Sequence, residues 1–455
     1  MSVVRQRIAI AARNAQSQTR LRVSESPASS SPPTFKEALR FWLKLGFISF
    51  GGPTGQIAIM HEELVERRKW ISEAQFLHAL NFCMLLPGPE AQQLAIYIGW
   101  ILHRARGGIV AGVLFVLPAA VILWILSWLY VSYGQLESVA GILHGLKAAV
   151  LAVIASAVIR IGTRVLKSPV HWGIAATAFA AIFFFIAPFP AIILGAGIVG
   201  LLVHAWRPDL IHIAKVREAV PSPSGNQIVA AVAPSWRRAL VVISVCLGLW
   251  WLPVWGLGAW LGSDHTVVRE GIFFSKAAMV TFGGAYAVLP YVGQQAVEQF
   301  GWLSASQMMD GLGLAETTPG PLVMVLQFVG FVGAYQNPGD LPPLLAATLG
   351  AAITTWVTFV PCFLWIFLGA PHIEQLRNNL KLTAALSAVT AAVVGVILNL
   401  AAWFGEHALW VDSRIDWFVL LTALLAFAGI WRWKWNLIVV IITCGFGGLL
   451  LEWFR

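Results

Sequence analysis

The sequence predicts an all-α polytopic membrane protein built from two inverted-topology repeats whose helices are broken or re-entrant. Three observations predict it. Of 455 residues, 58% are apolar and only 11% charged, which is not the composition of a water-soluble domain. Apolar runs of about 20 residues, the length that crosses a bilayer core, recur from end to end. The stretch "FWLKLGFISFGGPTGQ" beginning at Phe41 returns at Phe273 as "FFSKAAMVTFGGAYAV", with its lysine, an aromatic and its glycine pair in place. Twenty-two tryptophans suit the headgroup boundary.

The elements follow in order. Residues 1–34 are polar and rich in Arg and Ser, with no acid before Glu25 and no apolar stretch of the kind a secretory signal needs. They read as a disordered cytoplasmic tail, although the composition also resembles an organelle transit peptide. The first repeat, 35–206, opens with two interrupted segments, 35–60 and 74–102, and continues with spans near 107–132, 140–165, 170–187 and 190–206. Residues 207–238 carry Arg207, Lys215, Arg217, Arg237 and Arg238 among Pro and Ser, as a cytoplasmic linker does. A connecting transmembrane helix at 239–261 precedes the second repeat, 262–455, with spans near 341–369, 384–404, 416–431 and 434–453.

Adding 232 to positions 41–89 gives fourteen identities in 49, among them Lys44 with Lys276, Glu66 with Glu298, Trp70 with Trp302 and Pro87-Gly88-Pro89 with Pro319-Gly320-Pro321. Chance gives about three. Further on the offset is 243, pairing Pro118 with Pro361, so the second copy has gained eleven residues near Tyr335 to Pro343. The extra span between the copies makes the second enter the membrane from the opposite face. With the amino terminus inside, Arg160/Arg164/Lys167, the linker, Arg377/Lys381 and Arg432/Lys434 fall in the cytoplasm. Arg67-Arg68-Lys69 joins them only when 35–60 and 74–102 are re-entrant hairpins rather than full spans. A net charge of +9 therefore reports orientation, and no nucleic-acid partner is expected. Cys83, Cys246, Cys362 and Cys444 lie in apolar segments without paired spacing, which points to neither disulfide nor metal. Ala148, Ala149, Gly395 and the Gly447-Gly448 pair are small residues of the kind that let membrane helices pack closely.

Irregular backbone at membrane depth survives only where protein or a wet cavity surrounds it. Gly51-Gly52-Pro53, Pro87-Gly88-Pro89, Gly283-Gly284 and Pro319-Gly320-Pro321 should each end one half-helix and start another. Each new start presents unbonded N–H groups and a positive dipole end, so four of them converging make an anion site. Lys44 and Lys276 are intramembrane cations at matched positions; an interfacial lysine reaching out of the membrane is the plainer reading of either alone. Gln56, Gln92, Gln93, Thr317 and Gln327 can donate to oxyanion oxygens or simply tie helices together. Glu316, beside such a site, is a candidate to carry a coupling proton. "HEELV" at His61 lacks the second histidine of a zinc-protease helix, and neither a catalytic constellation nor a cofactor loop stands out.

The strings "FISFGGP", "ERRKW", "LPGPEAQQLAIYIG", "GGIVAGVLFVLP", "TFGGAYAVLP", "TPGPL" and "AAVVGVIL" together resemble the chromate ion transporter family in its long two-domain form, over about 35–400. The resemblance implies chromate efflux from the cytoplasm and chromate resistance, with sulfate as a competing mimic; the expected location is the inner (plasma) membrane, and the lack of a cofactor motif leaves no cofactor expected. The second copy departs from the first in having Ala285 where Pro53 stands and Thr318 where Leu86 stands, which leaves open whether both copies bind. A sulfate or molybdate importer would share the same site, and an intramembrane enzyme would need groups the sequence does not display. The oligomeric state, a homo-oligomer included, is not legible.

Overall fold

The structure, a computed structural model, describes residues 33–207, 235–372, 380–411 and 414–454. The expected tail and most of the linker, with Lys215, Arg217, Arg377 and Asp412, lie outside the described residues. Helix α1 (Phe35–Ile48) starts at a capping box in which Thr34 and Glu37 satisfy each other's backbone N–H groups. It buries Ala38, Phe41, Trp42 and Leu45 and ends where the Ser49 hydroxyl donates to the Leu45 carbonyl. Gly51 (φ 86) and Gly52 (φ 65) then turn the chain through backbone space that a side chain would strain. Helix α2 (Gly52–His61), with Pro53 in its first turn, widens into a π turn at Glu62–Arg67. It runs back along α1, so that Trp70 packs edge-on against Phe41 and Lys44 Nζ lies 3.5 Å from Glu63 Oε1.

The second copy repeats this hairpin in helix α9 (Thr266–Val280), helix α10 (Ala285–Gly293) and a π turn at Gln294–Gln299, with Phe273 against Phe300 and Trp302. The next hairpins start from equivalent capping boxes, Ser72–Gln75 and Ser304–Gln307, leading into α3 (Glu73–Cys83) and α11 (Ala305–Thr317). Past the break, α4 (Glu90–Tyr133) bends sharply at His103 and Arg104 (φ 53). Its two arms lie side by side, because a Cβ on Gly99 would sit 2.5 Å from the Gly107 carbonyl oxygen. The second copy makes the same pair from α12 (Val325–Gln336), entered through a 3-10 turn at Leu322–Met324, and α13 (Pro343–Gly369). There a Cβ on Gly350 would be 2.3 Å from the Gly330 carbonyl oxygen, and the inserted loop joins the arms.

Each copy closes with one long helix and a shorter pair: α5 (Glu137–Val165), α6 (Pro169–Phe185) and α7 (Phe189–Trp206), then α14 (Leu380–Leu409), α15 (Trp417–Arg432) and α16 (Leu437–Trp453). A two-stranded hairpin, β1 (Trp410–Val411) and β2 (Arg414–Ile415), joins α14 to α15. The pairs are exchanged: α15 and α16 pack on α5 of the first copy, and α6 and α7 on α14 of the second. Small residues permit the approach. A Cβ on Gly448 would lie 2.1 Å from the Gly141 carbonyl oxygen, and one on Gly395 2.0 Å from that of Ala175. Helix α8 (Trp236–Leu261) packs on α13 from outside and leaves Leu240, Val241, Leu252 and Trp255 exposed. Among the described residues, six helices are long and apolar enough to cross a membrane. This is an all-α polytopic membrane architecture.

Candidate functional site

The four breaks meet in crossed pairs. The Gly88 N–H donates to the Thr281 carbonyl at 2.7 Å, and the Gly320 N–H donates to the Ser49 carbonyl at 2.7 Å. Both donor and acceptor are related by the same offset of 232, so each copy's Pro-Gly-Pro turn is hydrogen-bonded to the other copy's glycine break. Both turns also press on the partner copy's long helix arm. A Cβ on Gly88 (φ 119) would meet Gln93 Nε2 at 2.9 Å and Cys362 Sγ at 3.0 Å; one on Gly320 (φ 104) would lie 2.4 Å from the Ala119 Cβ. Ala119 and Cys362 each follow a matched proline, Pro118 and Pro361. Pro53 sits in the first turn of α2, Pro89 and Pro321 are the cap residues of the segments after the second breaks, and Pro87 and Pro319 lead into those turns.

Side chains tighten the crossing. Gln56 Nε2 donates to the Gly320 carbonyl and, at 3.4 Å, to that of Ser49; Gln93 Nε2 donates to the Pro87 carbonyl at 2.7 Å. The Oε1 atoms of Gln56, Gln92 and Gln93 are buried without a donor, acceptors that a water or a protonated oxyanion would meet. Glu316, at the end of α11, accepts a hydrogen bond from the Tyr286 phenol at 2.5 Å. The Thr317 hydroxyl is turned back to the Leu314 carbonyl at 2.7 Å. Gln92 and Gln327 stand further out: Gln92 Nε2 reaches the Gly112 carbonyl at 3.5 Å, while Gln327 donates to the Ala120 carbonyl at 2.8 Å and accepts from Thr355. They line an apolar cavity of about 410 Å³ between α4, α12 and α13.

A Cβ added to Gly52 or to Gly284 (φ 94) would meet nothing within 4 Å. The starts of α2 and α10 therefore look onto unfilled space, with first-turn amides that have no intrahelical acceptor. This arrangement can hold an anion through backbone N–H groups and helix dipoles.

The two lysines are not part of the crossing. Lys44 is half-exposed and paired with Glu63, which also takes Arg67 and Arg68; Lys276 is exposed, and the position equivalent to Glu63 is Gln295. Two cations that sequence reasoning assigned to an ordinary cytoplasmic cluster stand nearer. Arg160, on α5, acts electrostatically on both Glu316 and Tyr286, and Arg164 acts on Glu90 at the start of α4. Their spacing of four on an apolar helix, which places them on one face, was the available signal.

A family model described as chromate transporter matches residues 36–201 and 270–449. The chain is 30% identical over 434 residues to a chromate transport protein of Pseudomonas aeruginosa, covering 92% of this chain and 93% of that one. It is 28% identical to a chromate transport protein of Cupriavidus metallidurans, covering 86% and 88%, and 28% identical to a probable chromate transport protein of Synechococcus elongatus, covering 83% and 86%. No solved structure matches the chain. Two matched segments, one on each side of the connecting helix, take in all four breaks: the chain belongs to the chromate transporter family.

Proposed function

We propose that this protein exports chromate from the cytoplasm by alternating access and thereby confers chromate resistance. The observation that carries the reading is the reciprocal crossing, Gly88 to Thr281 and Gly320 to Ser49, beside unfilled space that is partly exposed at Gly52 and buried at Gly284. Chromate and sulfate are tetrahedral dianions, and the first-turn amides at the starts of α2 and α10 suit either, so sulfate competes. In this reading the copies are inverted in the inner (plasma) membrane with the amino terminus in the cytoplasm, each hairpin enters and leaves on one face, and the copies rock about the crossing. The first copy's break opens towards the cytoplasm, and Arg160 and Arg164, near the same end of α5, draw the dianion on towards Glu316 and the crossing.

An inside-negative potential favours outward movement of a dianion by about 2.3 kcal/mol per charge per 100 mV. Glu316, bonded to Tyr286 and facing Arg160, is the group that would carry a coupling proton at the binding site itself. The test is radioactive chromate flux in everted vesicles with sulfate as competitor and the potential collapsed. Accumulation in everted vesicles, reduced by excess sulfate, is the expected outcome. Depletion instead would mean import, and a reduced chromium product would mean an enzyme.

A further inference from the structure

We infer that the second copy carries a proton-binding site at Glu270, joined to the central crossing by a buried polar seam between α9 and α13; the coupling part of this inference rests on the transport reading above. Glu270 is 0% exposed, and neither carboxyl oxygen has a hydrogen-bond partner. Its place is built by two glycines: a Cβ on Gly333 would lie 2.7 Å from Oε1, and one on Gly350 2.7 Å from Oε2. The helices have given up side chains so that a carboxyl group can fit. An ionised carboxylate buried without a partner is prohibitively costly, so the group held here is the neutral acid.

The charged and titratable neighbours do not supply a counter-ion. On α9 itself Lys276 is exposed and Arg269 stacks over Phe300; His265, at its start, is bonded to the Pro338 carbonyl. Helix α12 offers Tyr335 alone, the part of α8 packed nearby offers Val254, and α13 presents no charge. No described charged side chain acts electrostatically on Glu270.

From Gly350 the same face of α13 continues at four-residue intervals through Thr354 and Thr358 to Cys362, about 18 Å along the helix. Thr354 and Thr358 are buried, and the Thr354 hydroxyl is unpartnered. Thr281, which caps the facing helix α9, is buried as well. The seam ends at the crossing, where Cys362 approaches Gly88 and the Thr281 carbonyl takes the Gly88 N–H. In the first copy the equivalent positions are Ala38, Gly107, Ala111, Phe115 and Ala119. That seam keeps a hydroxyl only at Ser49, the counterpart of Thr281, so close packing alone does not require those of Thr354 and Thr358. In the transport cycle a proton binds the Glu270 carboxylate when the outer face opens to water. It is released, restoring the carboxylate, in a later state.

Two measurements test this on purified full-length protein. The first needs no transport: the infrared carbonyl stretch of protonated carboxylic acids at neutral pH should lose one component in Glu270→Gln that is kept in Glu316→Gln, and a spectrum unchanged by the Glu270 substitution overturns the site. The second uses proteoliposomes. Glu270→Gln should keep chromate counterflow within about twofold of wild type but lose accumulation driven by a pH gradient, since coupling and exchange are separable free energies. Accumulation at the wild-type level overturns the coupling role, as does loss of both activities in a variant that Glu270→Asp does not restore. Wild-type vesicles without chromate counterflow would sink the transport reading, while the infrared band still decides the proton site.

Discussion

The two copies share element order, capping boxes and even the position of a π turn, yet their first breaks live in different surroundings. In the first copy Gly51, Thr54 and Ala58 are exposed, and the main neighbours of α2 are its own π turn and α4. In the second copy every residue from Gly284 to Pro290 is buried, because α10 packs on α14 and on the 3-10 turn at Leu322–Met324. One repeat is open at the crossing and the other is sealed. Sequence-alike halves are thus held in unlike environments, the asymmetry that the alternating-access proposal requires of one end of a cycle. Both breaks use a glycine pair at positive φ, but α2 starts at Gly52 behind a left-handed Gly51 while α10 starts one position later behind Gly284 (φ 94, ψ 177), so backbone and packing both differ. The copies also differ in chemistry: the first supplies Arg160, which acts on Glu316 and Tyr286 of the second, and Arg164, which acts on its own Glu90, while the second holds the buried carboxyl groups Glu270 and Glu316.

The comparison is broken most severely at the Pro-Gly-Pro turns. Gly320→Ala places a methyl group 2.4 Å from the Ala119 Cβ and also strains a φ of 104, a combination expected to cost about 2–4 kcal/mol. Gly88→Ala meets the movable ends of Gln93 and Cys362 instead and should cost about 1–2 kcal/mol. Thermal unfolding in detergent should rank them in that order, and both should abolish chromate flux. Equal stability of the two variants would mean that the crossing is looser than its contacts indicate.

Next in size is the effect on substrate entry. Arg160→Gln should raise KM for chromate in everted vesicles about tenfold, the change that one charge–dianion interaction of about 1.4 kcal/mol supplies, with a smaller rise for Arg164→Gln. Paired cysteines sharpen the asymmetry itself. Thr54→Cys, exposed at the open break, should react rapidly with a membrane-impermeant maleimide from the cytoplasmic side, and Ala287→Cys in buried α10 should not. Equal labelling of the two would show that the copies are equally open.

Much of this was legible in the chain. Gly51-Gly52-Pro53 and its repeat announced a break because glycine and proline act on the backbone locally, and the identities at offset 232 made the two breaks comparable. The basic Arg67-Arg68-Lys69 run pointed to a hairpin, and the ring of Trp70 and the carboxylate of Glu63 do fold back on Phe41 and Lys44. What sequence could not supply was pairing between copies: which break meets which turn, and that α15 and α16 leave their own copy to pack on α5, follow from long-range contacts of small residues that carry no periodic signal. Lys44 and Lys276 attracted attention as intramembrane charges, while Arg160 was absorbed into a loop cluster because an arginine near a helix end reads as orientation. Glu270 carries no repeat signal, because it and its counterpart Ala38 lie outside the stretch 41–89 over which the copies match.

The smallest effect belongs to the fastening of the open hairpin. Glu63 is buried, which raises its carboxyl pKa, but the Arg68 hydrogen bond and the Lys44 charge outweigh burial and hold it below the usual carboxylate range. A carboxylate whose folded-state pKa is depressed adds stability that is fully present above the unfolded-state value and disappears as pH falls through the folded-state value. The hairpin should accordingly loosen only below about pH 4.5 and be indifferent to pH above it. Lys44 is half-exposed, so Lys44→Ala should cost no more than about 0.5–1 kcal/mol, and Lys276→Ala, with no carboxylate at Gln295 to lose, should cost less still. Hydrogen exchange of the α1–α2 hairpin at pH 7 and pH 4 separates the cases. Faster exchange at pH 4 beyond the intrinsic change, confined to the first copy and absent from Glu63→Gln, is the expected result. The same acceleration in the second copy's hairpin would show that this carboxylate is not what distinguishes the two.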